Sequence, residues 1–460
     1  MAKVRTGRVL NMTEGKPLPM ILAFALPFLI GNIFQQIYSM VDTVVVGYHL
    51  GDSAIAAIGA SDSLYNLIID TAIGLNSGYG IVVTRYFGAR DYNNMRKSLS
   101  GMIALNLSIT ALLTLLSLIF LKPILGFMNT PEAIFGQTYS YISVICGGMI
   151  ATVCYNMFAA IMRAVGNSRA PLVFLVISSL LNVVLDLFFV VVLDTGVAGA
   201  AIATVIAQGL SAVISGLYVW KCYREYLPRK SDLKLPHGML GELFSTGLAM
   251  ALMAAVVDLG SVILNRSNNL LGEGMIAANT AGRRIWKLML MPQNAVATAS
   301  STFIAQNWGA GKVQRIRSAL KQVLATVSAW SVFACLLFFV IGEGLIRYTT
   351  GTSDPEIIKG ALLLTRSAMI CSPALGILVC LRNALQALGS KVVPVLSSCI
   401  ELVMKIISAY WAIPAFGFAA MALTEPVTWV LMMVFLICGY GAKCKKMLAV
   451  QTPEDGQNGK

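Results

Sequence analysis

The sequence predicts an all-α polytopic membrane protein, with twelve transmembrane helices in two six-helix bundles. Hydrophobic residues make up 57% of its 460 residues and charged residues only 12%, a balance typical of membrane proteins. Apolar stretches of about 20 residues, the length that crosses a bilayer, recur along the chain, and the second half repeats the first. These observations exclude a soluble protein. The continuous apolar runs exclude a β-barrel, which requires alternation.

The twelve predicted spans are separated by short connections. In the first half they lie near residues 19–47, 54–84, 98–121, 133–161, 171–193 and 197–221. In the second half they lie near 240–264, 275–305, 318–341, 357–382, 394–416 and 418–442. The first bundle is thus 19–221 and the second is 240–442. A linker over 222–239 joins them, and polar tails cover 1–18 and 443–460.

Four anchors of the first half return in order in the second, at a spacing of 221 to 223 residues. The matched pairs are Leu50–Asp52 with Leu271–Glu273, Phe87–Ala89 with Trp308–Ala310, Gly166 with Gly389, and Gly196 with Gly417. Because each repeat has an even number of spans, both halves begin on the same side of the membrane. The pseudo-twofold axis is therefore expected along the membrane normal, with a central cleft between the bundles and alternating access by rocking.

The net charge of +13 reflects topology rather than a binding surface for nucleic acid. Most Lys and Arg residues lie in the two tails and at every second connection, for example Arg85 and Arg90 after span 2, and Arg382 with Lys391 after span 10. The positive-inside rule places these connections and both termini in the cytoplasm. We expect a multi-pass protein of the inner (plasma) membrane with no nucleic-acid partner.

No ATP-binding loop of the GxxxxGK[ST] type occurs in the sequence. The nearest string, Trp308–Val313, lacks the first glycine and the hydroxyl residue. No metalloprotease or nucleophile-elbow motif occurs either, so an enzyme is not expected. Transport would draw its energy from an ion gradient, a partner or the substrate gradient, without a cofactor.

Three polar side chains are predicted to lie at one depth in the first bundle. Asp42 precedes the outer end of span 1 by seven residues, Asp186 precedes that of span 5 by eight, and Thr204 lies eight residues into span 6. At 1.5 Å per residue all three are roughly 10–12 Å below the outer surface. Asn182 lies one turn deeper than Asp186 on the same helix face.

Carboxylate, amide and hydroxyl oxygens suit Na⁺, and two nearby carboxylates in a low dielectric would also hold a proton. The sequence therefore predicts a cation site at Asp42, Asn182, Asp186 and Thr204. At the 221-residue spacing the positions of Asp42 and Asp186 correspond to Ile263 and Ile407 in the second half. The site is therefore expected in the first bundle only. The alternative is that each aspartate is a packing group bonded to a nearby Ser or Thr.

Other intramembrane charges are candidates for the substrate cleft. Acidic groups at this depth are costly and often functional, and they include Asp70 in span 2, Asp258 in span 7 and Glu401 in span 11. Glu401 and Lys405 are i, i+4 neighbours, which favours a structural ion pair over a cleft role. Arg283 in span 8 corresponds to Asp62 in span 2 and could pair with it across the cleft, or snorkel to the head groups.

Several strings resemble the multidrug and toxic compound extrusion (MATE) transporters, over about residues 13–440. They are Ala25–Pro27 with Asn32, Tyr38–Asp42 with Val46-Gly47, Tyr86–Ala89, Arg163–Asn167, Asn182–Asp186 and Gln306–Lys312. The combination is similar to the prokaryotic branch that includes DNA-damage-inducible and staphylococcal multidrug members. The resemblance implies a V-shaped pair of six-helix bundles and an ion-coupled antiporter.

The resemblance also implies a cation site that maps onto Asp42, Asn182, Asp186 and Thr204, and a helix-bending role for Pro27. The predicted function is Na⁺- or H⁺-coupled export of organic cations by a monomer, because the intramembrane acids outweigh the bases in the sequence. The alternative is a flippase of lipid-linked saccharides or related amphiphiles, which would require a basic cleft.

Overall fold

The structure is a computed structural model and describes residues 9–128, 130–351 and 354–451. Its regular elements in these ranges are helices. Those of the first half are α1 (Pro17–Leu50), α2 (Asp52–Gly88), α3 (Tyr92–Phe127), α4 (Glu132–Gly147), α5 (Met149–Ala164), α6 (Arg169–Asp186) and α7 (Gly196–Cys222). Those of the second are α8 (Met239–Asn269), α9 (Glu273–Gly309), α10 (Val313–Thr350), α11 (Pro355–Ile370), α12 (Ser372–Ala387), α13 (Val392–Ile407), α14 (Ile413–Phe416) and α15 (Phe418–Gln451).

The long helices agree with the twelve predicted spans. Over the described ranges, nine helices are long and apolar enough to cross a membrane, and the count rises to eleven if each bent pair is one span. The bent pairs are α4 with α5 and α11 with α12. The twelfth is α9, which has 37 residues but carries Arg283, Arg284 and Lys287 in its first half. The predicted all-helical fold is confirmed.

The backbone reproduces the internal repeat. Gly51 and Gly272 precede α2 and α9 with φ of 78° and 92°, and Gly166 and Gly389 have φ of 84° and 81°. A π-helical turn over Leu187–Val192 follows α6, and another over Ser408–Ala412 follows α13. The bends between paired helices are 46° and 52°. Equivalent sequence positions therefore adopt equivalent and unusual backbone conformations.

Internal contacts divide the chain into two units. Unit 1 takes the residues up to Met12 and Ala23–Ala255, and unit 2 takes Thr13–Leu22 and the residues from Val256 on. The division thus falls inside α8, whereas the sequence analysis divided the chain at the 222–239 linker. Chain connectivity alone does not show that the first half of α8 packs with the preceding helices.

A close helix crossing explains this assignment of α8 to unit 1. A Cβ atom on Gly78 of α2 would lie 2.5 Å from Gly247 Cα, and one on Gly74 would lie 2.9 Å from Ala251 Cα. The ring of Tyr79, which is fully buried, also packs directly against Gly247. Small residues allow the two backbones to touch, which is the usual basis of tight helix packing in membranes.

Ion pairs in unit 1 reinforce this end of α2 and α8. Arg85 lies 3.1 Å from Glu242, and Arg96 of α3 lies 3.1 Å from Asp232 in a single 3₁₀ turn over Lys230–Leu233. The Arg229 backbone N–H donates to Asp232 Oδ2 at 2.9 Å. This hydrogen bond, assisted by the Arg96 guanidinium, holds the pKa of Asp232 below its ordinary value. These contacts hold the connection between α7 and α8 against α3.

Asp232→Asn is expected to loosen this connection, because the charge that Arg96 and the Arg229 N–H bind is removed. Limited proteolysis of the 223–238 segment should become severalfold faster, while Glu225→Gln, an exposed acid in the same connection, should leave the rate unchanged. A lowered folded-state pKa stabilises the connection above the unfolded pKa of 3.8 and loses this effect as the pH falls through the folded value. The wild type should therefore approach the variant only below about pH 4. Equal cleavage at neutral pH would contradict this role.

Unit 2 includes the segment that precedes α1. Lys312 Nζ donates to Thr13 O at 2.9 Å, and Arg315 donates to Gly15 O and Glu14 O at 2.6 and 2.9 Å. Lys312 is the lysine of the string that comes nearest to a phosphate-binding loop. Its ammonium group binds a main-chain carbonyl of the same unit.

Candidate functional site

Four polar side chains meet inside unit 1, on three helices. Asp42 lies in the last third of α1, Asn182 and Asp186 lie on the last turns of α6, and Thr204 lies on the third turn of α7. Asp186 is the last residue of α6 before the π-helical turn begins at Leu187. Such turns widen the helix locally and are frequent at functional sites. The structure therefore brings together all four residues that the depth argument selected.

The four side chains form two close pairs, Asp42 with Asp186 and Asn182 with Thr204. The carboxyl groups of Asp42 and Asp186 are close enough to interact electrostatically. Asn182 Nδ2 donates to Thr204 Oγ1 at 3.4 Å. Asp186 is fully buried and Asn182 is 2% exposed. Two ionised carboxylates that lie close together in a low dielectric repel each other, so their mutual approach is unfavourable without a neutralising charge.

The oxygens of this cluster are not satisfied by protein donors. Within the described residues no hydrogen bond reaches Asp42 Oδ1, Asn182 Oδ1 or either carboxylate oxygen of Asp186. Burying such groups without partners is costly. The described residues contain no group of three or more His, Cys, Asp or Glu side chains that could hold a metal ion. The donor set of two carboxylates, an amide and a hydroxyl suits a hard monovalent cation or a proton.

The other predicted residues of unit 1 lie outside this cluster. Asp70 is half-buried on α2. Pro27 is buried within α1, which continues unbroken through it, on the same helix as Asp42. The side chain of Asp62, the predicted partner of Arg283, lies outside the described residues.

Unit 2 holds an alternating chain of charges that sequence reasoning found only in part. Arg283 lies 3.5 Å from Glu425, which lies 4.0 Å from Lys405. Lys405 lies 2.9 Å from Glu401, and Glu401 lies 3.7 Å from Arg382. The i, i+4 spacing had indicated the Glu401–Lys405 pair. It did not indicate the two arginines at the ends of the chain, because they come from other helices.

Two expectations are corrected here. Arg382 does not lie in a cytoplasmic connection but inside α12, only 14% exposed beside Glu401. The interior of unit 2 is also not dominated by acids, since Arg283, Arg382 and Lys405 accompany Glu401 and Glu425. The count of charges along the sequence does not show whether a basic residue near a helix end points to the membrane surface or into the helix bundle.

A buried polar cluster with unsatisfied oxygens, in an internally repeated, multi-pass helical protein, is an arrangement typical of secondary membrane transporters. The MatE family model matches residues 27–188 and again residues 249–411, which together are well over half of the chain. The chain therefore belongs to the MatE family, whose members are transporters of the multidrug-efflux type. The resemblance seen in the sequence and the internal repeat are both confirmed.

Relatives and solved structures agree with this assignment. The chain is 24% identical to the probable multidrug resistance protein YpnP of Bacillus subtilis, over 83% of this chain and 84% of that protein. It is 22% identical to the multidrug export protein MepA of Staphylococcus aureus, over 80% of this chain and 81% of that protein. A MOP superfamily transporter from Pyrococcus furiosus has the same fold, with a TM-score of 0.87, 19% identity and coverage of 97% and 99%.

Proposed function

We propose that this protein is an ion-coupled antiporter that exports organic cations across the cytoplasmic membrane, acting as a monomer with both termini in the cytoplasm. The observation that carries the proposal is the set of buried oxygens of Asp42, Asn182 and Asp186 that accept no hydrogen bond from the described chain. A transporter that couples ion entry to substrate exit needs such a site, because the ion must lose its hydration shell to bind and regain it to leave.

The coupling ion is Na⁺ or H⁺ in this proposal. Each would neutralise part of the charge of the paired carboxylates Asp42 and Asp186, so binding removes a repulsion inside the helix cluster. Asp42 shares α1 with Pro27. A proline inside a helix removes one hydrogen bond and permits a kink. We infer that α1 changes its bend at Pro27 when the ion is exchanged.

Organic cations are the substrates that the acidic site of unit 1 favours, and YpnP and MepA carry names of multidrug resistance and export. A second candidate is the translocation of an anionic amphiphile such as a lipid-linked saccharide. One observation favours it: the interior of unit 2 holds three bases, Arg283, Lys405 and Arg382, beside the two acids Glu401 and Glu425. The two candidates require opposite charge on the substrate, so one assay separates them.

Purified protein in liposomes should move a fluorescent aromatic cation against its gradient when Na⁺ or H⁺ is supplied on the opposite side. Transport should collapse when an ionophore removes the driving gradient, and liposomes without protein serve as the control. If neither gradient drives the cation while a pyrophosphate-linked lipid is translocated, the flippase replaces the antiporter. If neither gradient drives any substrate, the ion coupling is refuted.

A further inference from the structure

Unit 2 contains a second cluster on the helices that are repeat-equivalent to those of the cation site. At the 221-residue spacing, α8, α13 and α15 of unit 2 correspond to α1, α6 and α7 of unit 1. At the same spacing, Glu425 of α15 is the repeat equivalent of Thr204 of α7. Asp42 and Asp186 correspond to Ile263 and Ile407, so the acids of unit 2 come from neighbouring positions on the same helices.

The centre of this second cluster is the ammonium group of Lys405, whose side chain is 2% exposed. Its Nζ lies 2.9 Å from Glu401 Oε1, 3.2 Å from Ser261 Oγ and 4.0 Å from Glu425 Oε1. These oxygens come from all three helices, α13, α8 and α15. In unit 1 the corresponding three helices surround oxygens that no protein donor reaches.

The acids around Lys405 exceed what one ammonium group can satisfy. Asp258 lies one turn before Ser261 on α8, and its Oδ2 is buried and accepts no hydrogen bond from the described chain. Arg382 approaches the other oxygen of Glu401, at 3.7 Å. Arg283 lies 3.5 Å from Glu425. A simple i, i+4 ion pair would need one carboxylate, whereas here three carboxylates and a hydroxyl lie around Lys405, and each of the two arginines contacts one of these carboxylates.

The backbone also makes room for the lysine side chain. A Cβ atom on Gly260 of α8 would lie 2.8 Å from Lys405 Cδ and 3.5 Å from Leu402 Cδ1. The aliphatic part of Lys405 therefore crosses directly over the backbone of α8, which brings the ammonium group to Ser261.

We propose that the Lys405 ammonium is a tethered cation that occupies a second, repeat-related cation site, so that unit 2 takes up no free ion. An ammonium group carries the same single charge as Na⁺ and donates to the oxygens that a cation would bind. The inference goes beyond the proposed function and does not depend on it, because it concerns other residues in the other unit.

The test is to remove the tether and supply a free cation. Purified Lys405→Ala is expected to be less thermostable than the wild type in choline chloride, and its Tm should rise saturably with methylammonium or Na⁺. Radioactive Na⁺ binding should show one more bound ion per protein than in the wild type. Lys359→Ala removes an exposed lysine of the same unit that lies outside the cluster, and it should gain neither response.

Two further variants separate this site from that of unit 1. Asp42→Asn combined with Lys405→Ala should keep the new cation response even if the site of unit 1 is lost or never bound an ion. Lys405→Ala combined with Glu401→Gln should lose the new response, because a carboxylate of the site is gone. If Lys405→Ala gains no bound ion and no cation raises its Tm, or if no cation lets it fold, the lysine is a structural ion-pair partner and the proposal is overturned.

Discussion

Asp42→Asn is expected to abolish ion-driven efflux while the protein folds at least as stably as the wild type. The substitution keeps the shape of the side chain and removes the charge with which the cation would pair at Asp186. Loss of a ligand should lower cation affinity by at least the roughly 10–100-fold that loss of an outer-shell partner costs a metal site. The Tm without added cation should be unchanged or higher, because one of two adjacent buried carboxylates no longer repels the other.

These opposite changes in transport and stability distinguish a binding role from a packing role. A packing aspartate bonded to a neighbouring hydroxyl would lose stability on replacement and keep its transport coupling. The matched control is Asp194→Asn, an exposed aspartate with a φ of 49°, a conformation that asparagine also tolerates. It should transport normally. Full ion-driven efflux by Asp42→Asn at normal expression would refute the assignment of the site.

Gly78→Ala is expected to destabilise the protein by about 1–3 kcal/mol, the usual cost of overpacking a tight contact. The new Cβ atom would lie 2.5 Å from Gly247 Cα and 2.6 Å from Thr246 O, and both are backbone atoms that cannot rotate away. The helices α2 and α8 would have to separate. The measurement is thermal unfolding of the purified protein in detergent.

Gly59→Ala is the matched control, because Gly59 lies on the same helix and a Cβ atom there would meet nothing within 4 Å. Replacing a glycine inside a helix by alanine should then be neutral or stabilise by up to about 1 kcal/mol. The two variants are chemically identical and are expected to differ in sign. Equal Tm changes would show that the contact of α2 with α8 does not contribute to stability.

The sequence by itself was sufficient for the class of protein, the internal repeat and the choice of Asp42, Asn182, Asp186 and Thr204. The length of a span, its hydropathy and the depth of a residue in the membrane can each be derived from the sequence of a single helix. The distance of Asp42 or Thr204 from a helix end follows from the rise per residue, without knowledge of neighbours. Equal depth does not by itself show that α1 lies beside α6 and α7, which four helices separate from it in the chain, and the structure supplies that contact.

Only the tertiary structure decided what surrounds Lys405 and where α8 belongs. The i, i+4 rule connects Glu401 to Lys405 within α13, but it says nothing of Glu425, Ser261 or Arg382 on other helices. The assignment of the first half of α8 to unit 1 likewise depends on glycines of α2, far away in the chain, that let two backbones touch. Depth is a one-dimensional quantity that can be calculated along a helix, whereas the face that a side chain presents to another helix depends on how all the helices pack.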